Sequence, residues 1–292
     1  MPLQILNHIP PAVLKNQALQ SELNREGIIT FPFLNTKALT QLRQLYQQLH
    51  PQPPQGPIEH FYVSTHSPYT AYKLSVQNGI KKIIEPFCQQ HFTNYRLTTS
   101  ALIVKKPSPQ SELGLHQDWN VVDETQYASY GLWVPLVDIT SNNGALYALK
   151  RSHRLGPTYR HAALPAVFGN ITAAAEKYVV PFEIKAGEAL LFNQALLHKS
   201  APNLSHELRT TIVNTIVPQQ AQHLMYAPAA QPDMVDAYHI PDDTVQHYHS
   251  FFEDSVKVPA SALKAGPSLT ADFTPLEEEE FERLYQQLLH EK

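Results

Sequence analysis

Short runs with the character of β-strands fill the chain between residues 96 and 217, and turn signals separate them. The turns include Ser141-Asn142-Asn143-Gly144 and Lys185-Ala186-Gly187, where asparagine and glycine favour tight backbone conformations. Many short strands divided by such turns are typical of a β-sandwich or barrel. The predicted strands are 96–105, 129–138, 144–150, 179–184, 188–192, 195–200 and 208–217.

Helices are predicted mainly outside this region. Leucines recur at helical spacing over 36–49, behind Asn35 as a favourable N-cap. Residues 78–92 form a second helix that Pro86 is expected to kink or end. A third opens at the acidic run 277–280, where negative charge complements the helix dipole. A short strand is predicted at 27–33.

At 292 residues, the chain is long enough to bury a full core as one domain. We therefore expect one domain with extensions, and the texture of the sequence divides it into three segments. Residues 1–95 are expected to supply helical and strand support, 96–218 the β core, and 219–292 an irregular extension closed by the terminal helix.

The composition indicates which kinds of binding partner and cellular compartment to expect. The formal net charge is −4, charged residues make up 16% of the chain, and lysines and arginines are scattered, so no nucleic-acid partner is predicted. The sequence shows neither a signal peptide nor a membrane span. The single cysteine, Cys88, lies among apolar residues and is expected to be buried and reduced. These features favour a protein of the cytoplasm that acts on a small molecule.

The stretch Leu115-His116-Gln117-Asp118-Trp119 carries the strongest chemical signal. Side chains alternate along an extended strand, so His116 and Asp118 leave the same face. With a distant second histidine they make the facial triad that suits Fe(II) and leaves positions open for a cosubstrate and O2.

Other acidic and histidine residues are weaker candidates. Asp123 and Glu124 lie near the motif on different faces and are interpreted as loop or gate residues. His153 is expected to hold a turn. His247 and His249 can chelate a metal from one strand face, although no third ligand accompanies them.

Several motifs follow one another in a recognisable order: 115–119, 133–138, 142–146, 152–154, 187–188, then His198 with Arg209. In this order and spacing, from about 27 to 218, the chain resembles the phytanoyl-CoA dioxygenase-like family of non-haem Fe(II)- and 2-oxoglutarate-dependent oxygenases. The resemblance implies a mainly β fold with flanking helices, a double-stranded β-helix or cupin-like jelly roll. It places iron between the two sheets near one open end.

The resemblance also assigns roles. It implies that His116, Asp118 and His198 bind iron and that Arg209 pairs with the remote carboxylate of 2-oxoglutarate, a task that suits a planar guanidinium. Ser200 shares a face with His198 and is expected to donate a hydrogen bond to that carboxylate. Two further predictions are that Thr211 assists Arg209 and that Leu102 lines the cosubstrate pocket.

For the substrate, Trp119, Tyr127 and Trp133 are predicted to border the cavity, and the irregular segments 119–130, 157–178 and 219–260 to shape it. The family chemistry implies hydroxylation of a small molecule or natural-product intermediate, with formation of succinate and CO2. Two alternatives remain open at this point. One is a cupin-like metalloenzyme that does not use 2-oxoglutarate, and the other is a catalytically silent binding protein.

Overall fold

The computed structural model describes residues 3–56, 59–241, 258 and 261–291. The helices in these ranges are α1 (Gln17–Glu26), α2 (Thr36–Leu49), α3 (Thr70–His91), α4 (Thr172–Ala175) and α5 (Glu278–His290). The strands are β1 (Gln4–Ile5), β2 (Ile28–Pro32), β3 (Phe61–Val63), β4 (Tyr95–Lys105), β5 (Leu113–His116), β6 (Tyr130–Pro135), β7 (Leu146–Ala148), β8 (Leu155–Gly156), β9 (Val180–Phe182), β10 (Glu188–Asn193), β11 (His198–Ser200), β12 (Arg209–Pro218), β13 (Leu224–Pro228), β14 (Met234–His239), β15 (Leu263–Lys264) and β16 (Leu269–Thr270).

Two antiparallel sheets form the centre of the fold. The larger has the strand order β2-β10-β6-β12-β4-β3, and the smaller has the order β5-β11-β7-β9. One apolar cluster joins them: Trp133, Leu190 and Phe192 come from the larger sheet, and Leu146 and Ala148 come from the smaller. Two sheets packed in this way, with flanking helices, form the predicted double-stranded β-helix, or jelly roll.

The helices α1, α2 and α3 cover the other face of the larger sheet. Leu23, Leu42 and Ile80 of these helices share a buried core with strand residues that include Ile212 of β12. Because strand side chains alternate, Arg209 of β12 points the other way, toward the smaller sheet. The helices thereby stabilise one face of the sheet and leave the opposite face for a site.

The predicted helix 78–92 is part of α3, which starts earlier and passes through Pro86 without ending. Proline removes one backbone donor and usually kinks or ends a helix. Here Ile80 and Ile84 precede Pro86 and Cys88 follows it, and all three are fully buried. Their packing on both sides of the proline offsets the lost hydrogen bond.

Two further predicted helices are confirmed, and one predicted strand is corrected. The helix predicted at 36–49 is α2, and the Asn35 side chain accepts from the Ala38 amide as its cap. The acidic first turn of α5 is confirmed at 278–280. The strand predicted at 195–200 is wrong in its first half, because the Asn193 side chain accepts from the Ala195 amide and folds 195–197 into a turn.

The extension is more regular than the sequence predicted. Strands β13, β14, β15 and β16 form a separate small antiparallel sheet within residues predicted to be irregular. Tyr226 and Val235 of this sheet pack with Leu164 from the stretch 157–178. None of the helices in the described ranges is both long and apolar enough to cross a membrane.

His153 holds a turn, as predicted. It lies in the 3-10 turn Ser152–Arg154, and its Nε2 is 3.1 Å from the carbonyl oxygen of Asn24. A Cβ atom at Gly27 would lie 2.4 Å from His153 Nδ1, and φ of Gly27 is +76°, so glycine is required there. Burial lowers the pKa of His153 to about 4.

We expect the free energy of unfolding to decrease as the pH falls from 6.5 toward 4. Over this window the unfolded chain protonates His153 near its ordinary pKa of 6.5, whereas the folded chain does not. In His153→Asn the decrease should be smaller, although stability at pH 8 will also be lower. Urea unfolding at several pH values measures both effects, with exposed His206→Asn as the control. An unchanged pH dependence in His153→Asn would contradict the assignment.

Candidate active site

Cross-strand pairing brings the three predicted metal ligands together. His198 of β11 lies directly opposite His116 at the end of β5. Just beyond β5, the Asp118 amide donates to the carbonyl oxygen of Gln194, which turns the chain toward the same spot. Asp118 Oδ1 lies 3.9 Å from His116 Nε2 and 4.0 Å from His198 Nε2. The three ligand atoms are all within 4.8 Å of one another, a spacing suited to one metal ion.

Both histidines are oriented by backbone carbonyls. His116 Nδ1 is 2.7 Å from the Gly114 oxygen, and His198 Nδ1 is 2.9 Å from the Leu196 oxygen. A carbonyl oxygen only accepts, so each Nδ1 carries the proton and each Nε2 presents its lone pair to the common point. Burial, with a contribution from His116, lowers the pKa of His198 to about 4. The imidazole is therefore neutral at pH 7, as metal binding requires.

The donor set fits Fe(II). Two imidazole nitrogens and one carboxylate oxygen on one side of an ion match the facial triad of non-haem iron oxygenases, which leaves the other positions open. His116 and Asp118 keep 31% and 32% of their side-chain surface exposed, so a ligand has access to the metal position.

A cavity of about 390 Å³ opens over the triad, within the size range of small-molecule sites. Besides the triad, Arg209 and Ser200 reach it, and amide side chains are contributed by Gln117 and Gln194. The remaining wall is largely apolar, and its members include Phe61, Val63, Ala101, Ile103, Leu113, Trp119, Val121, Trp133 and Val213.

Arg209 is a buried cation at the cavity wall. Its exposure is 2%, and its guanidinium carbon lies 5.4 Å from the centre of the Trp133 ring. Nη1 donates to Thr211 Oγ1 at 3.3 Å, whereas Nε has no hydrogen-bond partner among the described residues. Burial lowers the pKa of Arg209 to about 9, so it stays charged at pH 7. In the described part of the chain, no carboxylate pairs with Arg209, and an anionic ligand would fit there.

Ser200 and the two tryptophans lie where the sequence placed them. Ser200, Trp119 and Trp133 all line the cavity. Thr211 is fully buried and contacts Arg209, so it supports the arginine rather than the cavity surface.

Two residues predicted to line the cavity lie elsewhere in the structure. The Leu102 side chain lies in the core beneath the helices, and its neighbours Ala101 and Ile103 line the cavity instead. A shift of one residue on a strand moves a side chain to the opposite face. Tyr127 is also outside the metal cavity: the turn that begins at Asp123 directs it against an apolar cluster of Val121, Val122, Val217 and Ala221.

The acidic residues near the motif have structural partners, as the loop interpretation predicted. Asp123 accepts from the amide and hydroxyl of Thr125 within a turn. Glu124 forms a two-pronged ion pair with Arg160, with oxygen–nitrogen distances of 2.5 and 2.8 Å. The candidate pair His247 and His249 lies outside the described residues.

Sequence reasoning missed Arg160, which braces the metal-binding loop from the distant stretch 157–178. Its Nε donates to the Asp118 carbonyl oxygen at 2.6 Å, and its amide donates to the Asn120 side chain at 2.5 Å. Glu124 keeps the guanidinium in this orientation. A lone arginine in an irregular segment carries no sequence signal for such a role, because only the fold brings it to the loop.

Sequence reasoning also missed Lys105, at the end of β4. Its side chain is fully buried, and Nζ donates to Ser200 Oγ at 2.7 Å. No signal in the sequence indicated this, because Lys105-Lys106-Pro107 has the character of a polar strand end, and lysines are ordinarily exposed.

Fold and site together define a jelly-roll protein with a two-histidine, one-carboxylate metal centre. The sequence model of phytanoyl-CoA dioxygenase (PhyH) matches residues 28–211. The chain belongs to this family.

Curated relatives share part of this region. The chain is 31% identical over 123 residues to phytanoyl-CoA dioxygenase 1 of Oryza sativa subsp. japonica, which covers 40% of this chain and 44% of the relative. It is 30% identical over 153 residues to phytanoyl-CoA dioxygenase domain-containing protein 1 of Danio rerio, covering 50% and 48%. The match therefore spans less than half the length of these relatives.

Solved structures share the fold. EctD from S. alaskensis, crystallised with 2-oxoglutarate and 5-hydroxyectoine, superposes with a TM-score of 0.53 at 17% identity, over 76% of this chain and 85% of EctD. The epimerase SnoN, in complex with Fe3+, alpha ketoglutarate and nogalamycin RO, gives a TM-score of 0.52 at 16% identity, over 89% and 97%. At these identities the likeness supports the jelly-roll assignment alone.

The triad makes a direct prediction for metal binding. His198→Ala and Asp118→Ala should each weaken Co(II) binding, a stand-in for Fe(II), by at least about a hundredfold, because a three-donor site loses one donor. Anaerobic calorimetric titration measures the affinity, and the exposed His206→Ala is the control. Native affinity in either ligand variant would rule out this metal centre.

Arg160 gives a separate prediction. Arg160→Met should weaken Co(II) binding about tenfold to a hundredfold without unfolding the protein, because the Asp118 backbone loses its brace. The control is Arg283→Met, which breaks an exposed ion pair with Glu280 on α5. If Arg160→Met lowers thermal stability but leaves metal affinity unchanged, the brace has no role in the metal centre.

Proposed function

We propose that the protein is a non-haem Fe(II)- and 2-oxoglutarate-dependent dioxygenase that hydroxylates a small molecule and forms succinate and CO2. One observation carries the proposal: the metal triad and a buried arginine without an acidic partner among the described residues open onto the same cavity. A 2-oxo diacid can use both, with one end at the metal and the distal carboxylate at Arg209.

Separate residues of the cavity would bind the metal and the cosubstrate. His116, Asp118 and His198 would hold Fe(II), and Arg209 would bind the distal carboxylate with the help of Ser200. Iron held by these residues with 2-oxoglutarate would supply oxidative decarboxylation, to succinate and CO2, coupled to C–H oxidation by O2. Asp118 fills the carboxylate position of the triad, which favours hydroxylation or another oxygenase outcome over halogenation.

The cavity wall supports this chemistry by excluding water. The Trp133 ring lies over the Arg209 guanidinium and shields it. Charge pairs are stronger in such a low-dielectric setting, so the carboxylate of a bound diacid is held firmly. Apolar groups such as Val121 and Val213 offer bulk water no hydrogen-bond partners.

The wall also bears on the substrate. Its apolar groups, with the amides of Gln117 and Gln194, suit a small organic molecule with limited polarity. EctD and SnoN, which share the fold, were crystallised with small-molecule ligands, and we propose the same broad class for the present chain. The net charge of −4 and the scattered lysines and arginines argue against a nucleic-acid substrate. We propose that the described residues act as one oxygenase domain.

The single cysteine bears on the cellular compartment in which the protein acts. Cys88 is free and buried, and burial raises the pKa of its thiol, which makes it inert. A chain with a single buried cysteine needs no oxidising compartment. We propose a cytoplasmic location, which this free thiol supports.

The two alternatives are less well supported. A cupin-like enzyme without 2-oxoglutarate has no use for Arg209, whose burial costs free energy unless an anion compensates it. A silent binding protein has no need for two imidazoles whose Nε2 atoms converge on one carboxylate.

An anaerobic absorption titration tests the proposal. Fe(II) and then 2-oxoglutarate are added to the metal-free protein, and the weak visible charge-transfer band of the chelate is followed. We expect the band in the wild type and in the exposed-arginine control Arg25→Met. In Arg209→Met the 2-oxoglutarate concentration at half-saturation should rise on the order of a hundredfold, because a buried charge pair is lost.

Fe(II) binding should survive in Arg209→Met, since that residue is not a ligand. Iron binding without any band in the wild type would reject the 2-oxoglutarate proposal and leave the cupin-like alternative.

A further inference from the structure

Lys105 is a buried basic side chain that the proposed chemistry has not used. Burial, with a contribution from Arg209, lowers its pKa to about 6, and an anion bound beside it would favour its charged form. It is the last residue of β4 and pairs in register with Arg209 of β12. Its side chain is fully buried, which is rare for lysine and costs free energy unless the ammonium group is hydrogen-bonded.

Three oxygen atoms surround Lys105 Nζ, and they saturate its charged, ammonium form. Nζ donates to Ser200 Oγ at 2.7 Å, to the Ser200 carbonyl oxygen at 3.2 Å and to the Ala201 carbonyl oxygen at 2.6 Å. An ammonium group has three N–H donors, so these contacts leave none for a ligand in the cavity. Lys105 is also not among the residues that line the cavity. Any effect on a ligand must therefore pass through a neighbour.

Ser200 is that neighbour. Its hydroxyl oxygen accepts from Lys105, so its own O–H is left to donate elsewhere. Ser200 lines the cavity two residues beyond the metal ligand His198, on the same strand. A hydroxyl that accepts from a cation becomes a stronger donor, because hydrogen bonds in a chain polarise one another.

The turn predicted at Asn142-Asn143-Gly144 packs against both cations. A Cβ atom at Gly144 would lie 2.8 Å from Lys105 Cδ and 3.4 Å from Arg209 Nε, and φ of Gly144 is +91°. Glycine thus lets the turn close over the two side chains and restricts their positions.

We infer that Lys105 is a positioning residue for the cosubstrate, which holds the Ser200 hydroxyl as a hydrogen-bond donor to the distal carboxylate beside Arg209. This inference rests on the proposed function and extends it to a residue outside the cavity wall. It makes the subsite a selector of 2-oxo diacids over 2-oxo monoacids, because the Lys105–Ser200 pair acts only on a ligand that carries the second carboxylate.

A double-mutant cycle tests the inference. Dissociation constants for 2-oxoglutarate are measured by anaerobic titration of the Fe(II)-loaded wild type, Lys105→Met, Ser200→Ala and the double variant. We expect each single change to raise the constant about tenfold, or about 1.4 kcal/mol. In the Ser200→Ala background, Lys105→Met should add less than about twofold, because the two residues act through one hydrogen bond.

A second ligand distinguishes a specific effect on the distal carboxylate from a general disturbance of the site. 2-Oxopentanoate keeps the chelating end of 2-oxoglutarate and lacks the distal carboxylate, so Lys105→Met should leave its dissociation constant unchanged. Lys106→Met, a change at the next residue of the chain, is the matched control for both ligands. Should Lys105→Met fail to fold, Lys105→Gln keeps N–H donors without the charge and allows the same comparisons.

The outcomes are distinguishable. Additive effects in the cycle, no effect of Lys105→Met on 2-oxoglutarate, or an equal loss for both ligands would each overturn the inference while the proposed function stands. If the wild type bound Fe(II) but not 2-oxoglutarate, the proposed function and this inference would fall together.

Discussion

The antiparallel pairing of β5 with β11 is the contact on which the candidate site depends. It sets His116 opposite His198, and the chain leaves β5 in time for Asp118 to reach the same point. Neither strand is long, so their register is maintained by the rest of the smaller sheet, in which β7 pairs with the other edge of β11. The metal centre is thus a product of sheet register rather than of local sequence alone.

Electrostatics organise the other end of the cavity. Arg209 and Lys105 are buried side by side on β12 and β4, where like charges in a low-dielectric setting destabilise each other. Lysine satisfies its donors with backbone and hydroxyl oxygens, whereas arginine keeps part of its guanidinium unpaired among the described residues. This asymmetry underlies our proposal that Lys105 is a support and Arg209 a ligand-binding group for a dicarboxylic cosubstrate.

The loop after β5 shows how the candidate metal-binding residue Asp118 is fixed by distant parts of the chain. Gln194 holds the Asp118 amide and Arg160 holds its carbonyl, so both sides of this residue's backbone are constrained. Glu124, which the sequence suggested as a loop or gate residue, has a defined part in this arrangement through its ion pair with Arg160. Long irregular segments therefore contribute order to the site as well as shape to the cavity.

By itself the sequence predicted a β-sandwich or barrel, the helix at 36–49 and the pair His116 and Asp118, because strand alternation, capping and ligand chemistry act over a few residues. The resemblance to the phytanoyl-CoA dioxygenase-like family added the jelly roll, His198 and the roles of Arg209 and Ser200. Only the tertiary structure decided that Ala101 and Ile103, not Leu102, face the cavity, that Tyr127 turns away, and that Arg160 and Lys105 reach the site. The physical reason is that strand register and long-range hydrogen bonds depend on how whole elements pack, and no local pattern records them.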